Sequence, residues 1–269
     1  MSDDVNRRQI ERQKALEQRL AALERLETPG GQVDAWARAV GMLQMFPGVR
    51  GIWPMSAQNS SGQVIDVSGN GNHLTQSGSP LIVAATTSLF PYVSYATTGR
   101  YHFHTDSAEF DILGNEPYVF SGIRGLTMGC WVRRQNVSAA QEGFLSKRST
   151  GNSGYALYGI TTGAVRGIIG SGAVEGIVTS AAVAANNEWR FCALKFVPAT
   201  SVSVWLDSEK TTVATAIATI DNNAANFQIG NLAGLYLNGF ISLAFLCAAA
   251  APDLFINSFY GYSRGLYGV

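Results

Sequence analysis

Apolar positions along this 269-residue chain follow two different periods. Near the start, Leu16, Leu20 and Leu23 stand four and three apart among charged neighbours, the spacing of one face of a helix. With Leu16 at d, Leu20 at a and Leu23 at d, the flanking seam positions are Gln13, Gln9 and Glu27, so the strict heptad pattern covers little more than one repeat. A helix this short is marginal in water. It is expected to order by pairing with copies of itself through Ile10, Leu16, Leu20 and Leu23, or by lying on a larger partner. Thr28-Pro29-Gly30-Gly31 stops it. A second amphipathic stretch, with Val33, Trp36, Ala37, Val40, Leu43 and Met45 apolar, predicts another helix or helical connector, packed on the C-terminal part of the chain or on a neighbouring subunit.

From Gly51 onward the period changes to two, in runs of about five to nine residues separated by turn clusters. The clearest predicted strands are 125–133, 144–146, 155–160, 165–169, 189–197, 201–206, 227–229 and 239–247. In 189–197, Trp189, Phe191, Ala193 and Lys195 share one face while Cys192, Leu194 and Phe196 share the other, so both faces of that strand are expected to be covered. Pro252-Asp253 predicts a final short helical turn with Leu254, Phe255 and Ile256. The pattern thus divides the chain into a helix over 1–27, a linker with an amphipathic helix over 28–50, and a β domain over 51–269.

Charge sharpens the first boundary. Residues 1–27 hold six of the 19 acidic and six of the 19 basic side chains, and the remainder is rich in Gly, Ala, Ser and Thr. The zero net charge gives no field to draw in nucleic acid or an acidic membrane. The longest apolar run, 241–252, is too short to span a bilayer, and no apolar stretch comes after Arg7 and Arg8, so no secretory leader is expected. Cys130, Cys192 and Cys247 sit in apolar strands without metal-ligand spacing and are expected to be buried free thiols.

The segment Asp66-Val67-Ser68-Gly69-Asn70-Gly71-Asn72-His73-Leu74, preceded by Trp53-Pro54, resembles the laminin G-like group of concanavalin A-like domains. Further landmarks keep that family's order: Leu126 to Val132, an inner strand with Trp131; Trp189-Arg190-Phe191 leading to Val204-Trp205-Leu206-Asp207; and Phe227 to Asn231 with Asn238 to Ile241. The resemblance implies an all-β, antiparallel jelly-roll sandwich carried on an N-terminal helical stalk. Asp207-Ser208 replaces the family's Asp-Gly, so a longer turn is expected there. For the Asp66 loop the resemblance implies a structural role, with Asp66 and Ser68 bonding local amides and Gly69 and Gly71 at positive φ. The other reading makes Asp66 a calcium ligand, with Asp207 or Asp221 brought close by folding.

Catalysis is not expected. Glu109-Phe110-Asp111 has its next acid at Glu116, an odd separation that puts Asp111 and Glu116 on opposite faces of a strand. His73, His102 and His104 come with no nucleophile elbow; His102 and His104 would share a strand face, where they could form a metal or pH-sensitive pair. The layout as a whole resembles bacteriophage virion proteins, fibres or capsid decorations. That resemblance implies a homotrimer of sister chains, contact with other virion proteins, and a sandwich that adheres to host-surface glycans or covers the particle. Tyr92, Tyr95, Tyr101 and Tyr155 are the candidate glycan contacts. A non-viral carbohydrate-binding adhesin and a glycoside hydrolase are the rival readings.

Overall fold

The structure, a computed structural model of the chain, describes residues 32–46, 48–78, 81–83, 92–95, 102–105, 124–138, 140–148, 151–221 and 223–269. Ile10, Leu16, Leu20, Leu23 and the rest of the 1–27 segment lie outside these residues, as do Tyr101, Glu109, Asp111 and Glu116. In chain order the elements are α1 (Gln32–Met45), β1 (Val49–Trp53), β2 (Thr75–Ser77), β3 (Leu81–Val83), β4 (Tyr92–Tyr95), β5 (His102–Thr105), β6 (Leu126–Arg134) and β7 (Glu142–Lys147). Then come β8 (Ser153–Gly159), β9 (Val165–Ser171), β10 (Glu175–Thr179), β11 (Trp189–Val197), β12 (Ser201–Leu206), β13 (Glu209–Ala214), β14 (Phe227–Ile229), β15 (Asn231–Leu232), β16 (Leu235–Tyr236), β17 (Gly239–Cys247) and α2 (Asp253–Tyr267).

Two antiparallel sheets face one another. One runs β13-β12-β11-β6-β17-β4-β3, with β1 sharing an edge of β17 with β4, and the other runs β10-β9-β8-β7-β14-β5-β2. The period-two pattern explains the layering. Met128, Cys130, Cys192, Leu194 and Phe196 point between the sheets and meet Trp53, Phe103, Tyr155 and Phe227. Their neighbours Trp131, Phe191, Ala193 and Phe245 point outward into a second core, closed by Ala39 and Leu43 of α1 and by Ile256, Phe259, Leu266 and Tyr267 of α2. Both faces of β11 are therefore covered, as the alternation in 189–197 requires. α1 packs on the sandwich, one of the two placements its pattern allowed, with Phe46 against Phe255 at 4.6 Å.

Three local features refine this layering. The C-terminal element is a 15-residue helix rather than a turn: Ile256, Phe259, Ser263, Leu266 and Tyr267 recur at helical spacing on its buried face. It ends at Gly268, whose left-handed φ of 72° lets its N–H reach the Arg264 carbonyl. The link from Leu206 to Glu209 stays at two residues, correcting the expected lengthening. Asp207 takes φ 57° there, a conformation Asp tolerates, and its carboxylate accepts from the Phe191 N–H at 3.0 Å and Arg190 Nη1 at 2.7 Å. In β17 a bulge puts Ser242 and Leu243 both toward the helices, with Leu243 at φ 45° and Ser242 Oγ 2.8 Å from the Tyr267 hydroxyl.

The outer face of the seven-stranded sheet differs. Ile177, Ile168, Ala156, Ser146, Gln228, His104 and Thr75 are consecutive cross-strand partners running straight across it. The β15–β16 hairpin lies on its middle, where Leu232 joins Ala156, Tyr158 and Ile168 in a small third core. Gly143 makes this approach feasible, since a Cβ there would stand 2.3 Å from the Leu232 nitrogen.

The three thiols are free and buried. Cys130 and Cys192 are cross-strand partners between the sheets, whereas Cys247 lies in the core beneath the helices. Burial pushes all three well above the ordinary thiol range.

Candidate functional site

The Asp66 loop is a staple onto β1. Asp66 Oδ1 accepts from the Ile52 N–H at 2.9 Å and the Ser68 N–H at 2.8 Å. Oδ2 accepts from Ser68 Oγ at 2.7 Å and the Asn72 N–H at 3.0 Å. These four donors match the roughly four acceptor directions of a carboxylate. Gly69 and Gly71 take positive φ, as the turn demands, and Asn72 extends the staple by donating to the Arg50 carbonyl at 2.6 Å. Asp207 is held by Arg190 and Phe191, and Asp221 accepts from Ser153 Oγ, so neither joins Asp66. Among the described residues no three His, Cys, Asp or Glu side chains gather as a metal site.

His102 and His104 stand two apart on β5, and His73 lies in the Asp66 loop. His73 Nδ1 accepts from the Asp66 N–H at 3.0 Å, which leaves the ring proton on Nε2 if the ring is neutral. His104 stands half-buried on the outer face of the seven-stranded sheet, 3.3 Å from Asn226 Nδ2.

Of the candidate tyrosines, Tyr92 and Tyr155 lie on different sheets and do not converge. Tyr155 is a correction: it faces inward from β8, is 1% exposed and packs near Phe227, because the phase of the alternation in that strand sends Tyr155 and Leu157 into the core. Tyr95 ends β4, and Tyr101 is outside the described residues. Tyr92 is half-buried on the outer face of the eight-stranded sheet, edge-on to Phe240 at 5.4 Å and to Trp189 at 6.0 Å.

Around Tyr92 the sheet assembles a cluster whose members are remote in sequence. Trp189, Arg133, Phe240 and Ser94 are successive cross-strand partners on β11, β6, β17 and β4, forming one row across the sheet. Trp189 meets Tyr267 at 5.2 Å, and Tyr267 stacks on Trp131 at 4.1 Å, so the row begins where α2 stops covering the sheet. Arg133 lies between two rings, with Cζ 4.1 Å from the Phe240 centroid and 5.6 Å from that of Trp189. Its Nε is buried without a hydrogen-bond partner, and among the described residues the guanidinium has no ion pair. Arg, Trp and Phe at positions 133, 189 and 240 give no joint signal in a linear reading; only strand pairing brings them together.

Two concave sites lie elsewhere. A cleft of about 720 Å³ is lined by Arg124, Val197, Pro198, Ala250 and Pro252, with Lys195 at its wall committed to Asp253. A second, of about 520 Å³, separates edge strand β10 from residues 213–219. Neither presents an aromatic ring.

No protein-family model and no curated protein matches this chain. Solved structures do. The binding domain of botulinum neurotoxin DC in complex with SialylT aligns over 83% of this chain and 52% of its own, with a TM-score of 0.59 and 12% identity. A structure of botulinum neurotoxin type C, which depends upon interaction with two ganglioside molecules to enter cells, aligns over 84% and 52%, with a TM-score of 0.59 and 12% identity. The neurotoxin DC binding domain in complex with rat synaptotagmin II aligns over 81% and 52%, with a TM-score of 0.57 and 13% identity. The chain thus spans about half the length of these structures, and the likeness is one of fold: an antiparallel β-sandwich.

Proposed function

We propose that this chain is a laminin G-like glycan-binding module, displayed in trimeric form through its N-terminal segment as part of a bacteriophage virion, and that it binds without catalysing turnover. The observation that carries the binding half is the half-exposed Tyr92 and Phe240 pair beside Trp189, at the end of the helix cover. The C–H face of a pyranose packs on such rings, and the fixed sheet positions hold them ready without ordering cost. Fold neighbours solved with SialylT or dependent on gangliosides favour this reading over an inert coat. The display half rests on the charge break at Glu27 and the Leu16, Leu20 and Leu23 seam.

The test is titration of the full chain with a panel of oligosaccharides, followed by saturation-transfer NMR, beside its solution mass from light scattering. Saturable binding that Tyr92→Ala weakens about tenfold, a loss near 1.4 kcal/mol, supports the module. A panel with no binder makes the sandwich an inert decoration, and release of shorter sugars makes it a hydrolase. A monomeric mass removes the trimeric display.

A further inference from the structure

We infer that the Tyr92–Phe240 surface, backed by the buried Trp189 ring, selects acidic sugars, with Arg133 as the anion-binding residue for a carboxylate or sulfate; this rests on the proposed glycan-binding role. Arg133 is presented as a ligand group would be. Its guanidinium is held between the Phe240 and Trp189 rings at 4.1 and 5.6 Å, which restricts its orientation before any ligand arrives. A guanidinium fixed in this way offers two parallel N–H donors to a planar carboxylate or to two oxygens of a sulfate.

The neighbouring cations are already engaged. Arg134 donates to Glu142 at 2.6 Å and to the carbonyls of Ile160, Val137 and Ala140. Arg190 is taken by Asp207 and Glu188. Arg133 alone of these three has no acidic partner among the described residues, although it is half-buried and its Nε is out of water. A cation partly withdrawn from water with no counter-charge is a standing cost, and a bound anion relieves it. Ser94 continues the row beyond Phe240 and is half-exposed, so it places a hydroxyl beside the ring within the same strip of surface. An aromatic floor, one uncompensated guanidinium and a flanking hydroxyl suit a sugar that is apolar on one face and anionic at one substituent.

The experiment is calorimetric titration of the full chain with lactose, 3′-sialyllactose and 3′-sulfated lactose, on wild type, Arg133→Gln and Arg133→Lys. Wild type is expected to bind one or both charged sugars at least about tenfold more tightly than lactose, with the preference shrinking between about 50 and 500 mM salt. Arg133→Gln brings the charged sugars to the level of lactose, and Arg133→Lys keeps part of the preference because the charge survives while the planar fork does not. The two charged probes separate carboxylate from sulfate as the group recognised. Equal binding of all three sugars by wild type overturns the inference and leaves the glycan module standing, as does a preference that Arg133→Gln retains. Binding of none overturns the module itself. Unchanged near-UV circular dichroism of Arg133→Gln excludes misfolding as the cause of a loss.

Discussion

The eight-stranded sheet turns Trp131, Phe191 and Phe245 outward beneath two helices, whereas the seven-stranded sheet turns Ser146, Gln228, His104 and Thr75 outward in a polar row that meets the β15–β16 hairpin, Asn226 and Gln63 and, among the described residues, no helix. The two faces have the same backbone geometry and opposite side-chain chemistry. Helix cover is a consequence of aromatic residues at alternate positions, because a bare face of indole and phenyl rings would expose an apolar patch of a size that soluble surfaces rarely show. The candidate site is at neither extreme. It lies where the covered face runs out, at the end of an aromatic series that passes from Trp131 through Tyr267 and Trp189 to Phe240 and Tyr92. The series passes from rings buried under α2, Trp189 included, to the half-exposed Phe240 and Tyr92.

The largest expected difference between the faces is in stability. Trp131→Ala removes a ring stacked on Tyr267 and an indole N–H donated to Ser263 at 3.0 Å, and should cost about 3–5 kcal/mol in urea unfolding. His104→Ala on the open face should cost under about 1 kcal/mol. Equal costs would mean that the seven-stranded sheet is covered as fully as its partner. Next is Gly143→Val, which forces the β15–β16 hairpin off the open face and should cost about 1–3 kcal/mol, with faster amide exchange at Leu232. Unchanged exchange there would show that the hairpin is not seated through Gly143.

The smallest effect concerns the attachment of α2. Asp253 begins the helix and accepts from Lys210 at 2.6 Å and from Lys195, tying the cover to β13 and β11. Partial burial would raise its carboxyl, but the two ammonium groups outweigh that and hold it below the ordinary value of 3.8. Its contribution is therefore complete above the ordinary carboxylate range and is lost as pH falls through the lowered value of the folded state. Asp253→Asn should cost a few tenths of a kcal/mol at neutral pH, because the side chain is 42% exposed, and should flatten the acid limb of a stability–pH curve. An acid limb identical to wild type would assign that limb to other carboxylates.

The sandwich was legible wherever a strand carried an unbroken alternation. β11, β12, β14 and β17 fall at the predicted residues, and the two-sided pattern of β11 foretold a second layer of cover. The identity of that layer was obscured because Gly261 and Gly265 interrupt the helical pattern of α2, and its register depends on burying Phe259, Ser263 and Leu266 rather than on local propensity. Tyr155 was misplaced for a related reason: alternation gives two faces but not which is inside, and strand pairing decides it, with Tyr155 opposite Lys147 and Ile169 and the next inward residue, Leu157, opposite Leu145. The site was legible only at Tyr92. Its other members come from three strands separated by dozens of residues, and their meeting is a matter of register between strands that no local pattern encodes.

The buried thiols give this layered arrangement a clock. Cys130 and Cys192 are sealed between the sheets and Cys247 beneath the helices, so a thiol-alkylating reagent can reach the first pair only when the sheets part and the third when the helices lift. Modification at the two places therefore times two separate openings in an unaltered chain. If the helical cover peels away while the sandwich stays closed, Cys247 is labelled first and the other two long afterwards; if the protein opens as one unit, all three acquire label together.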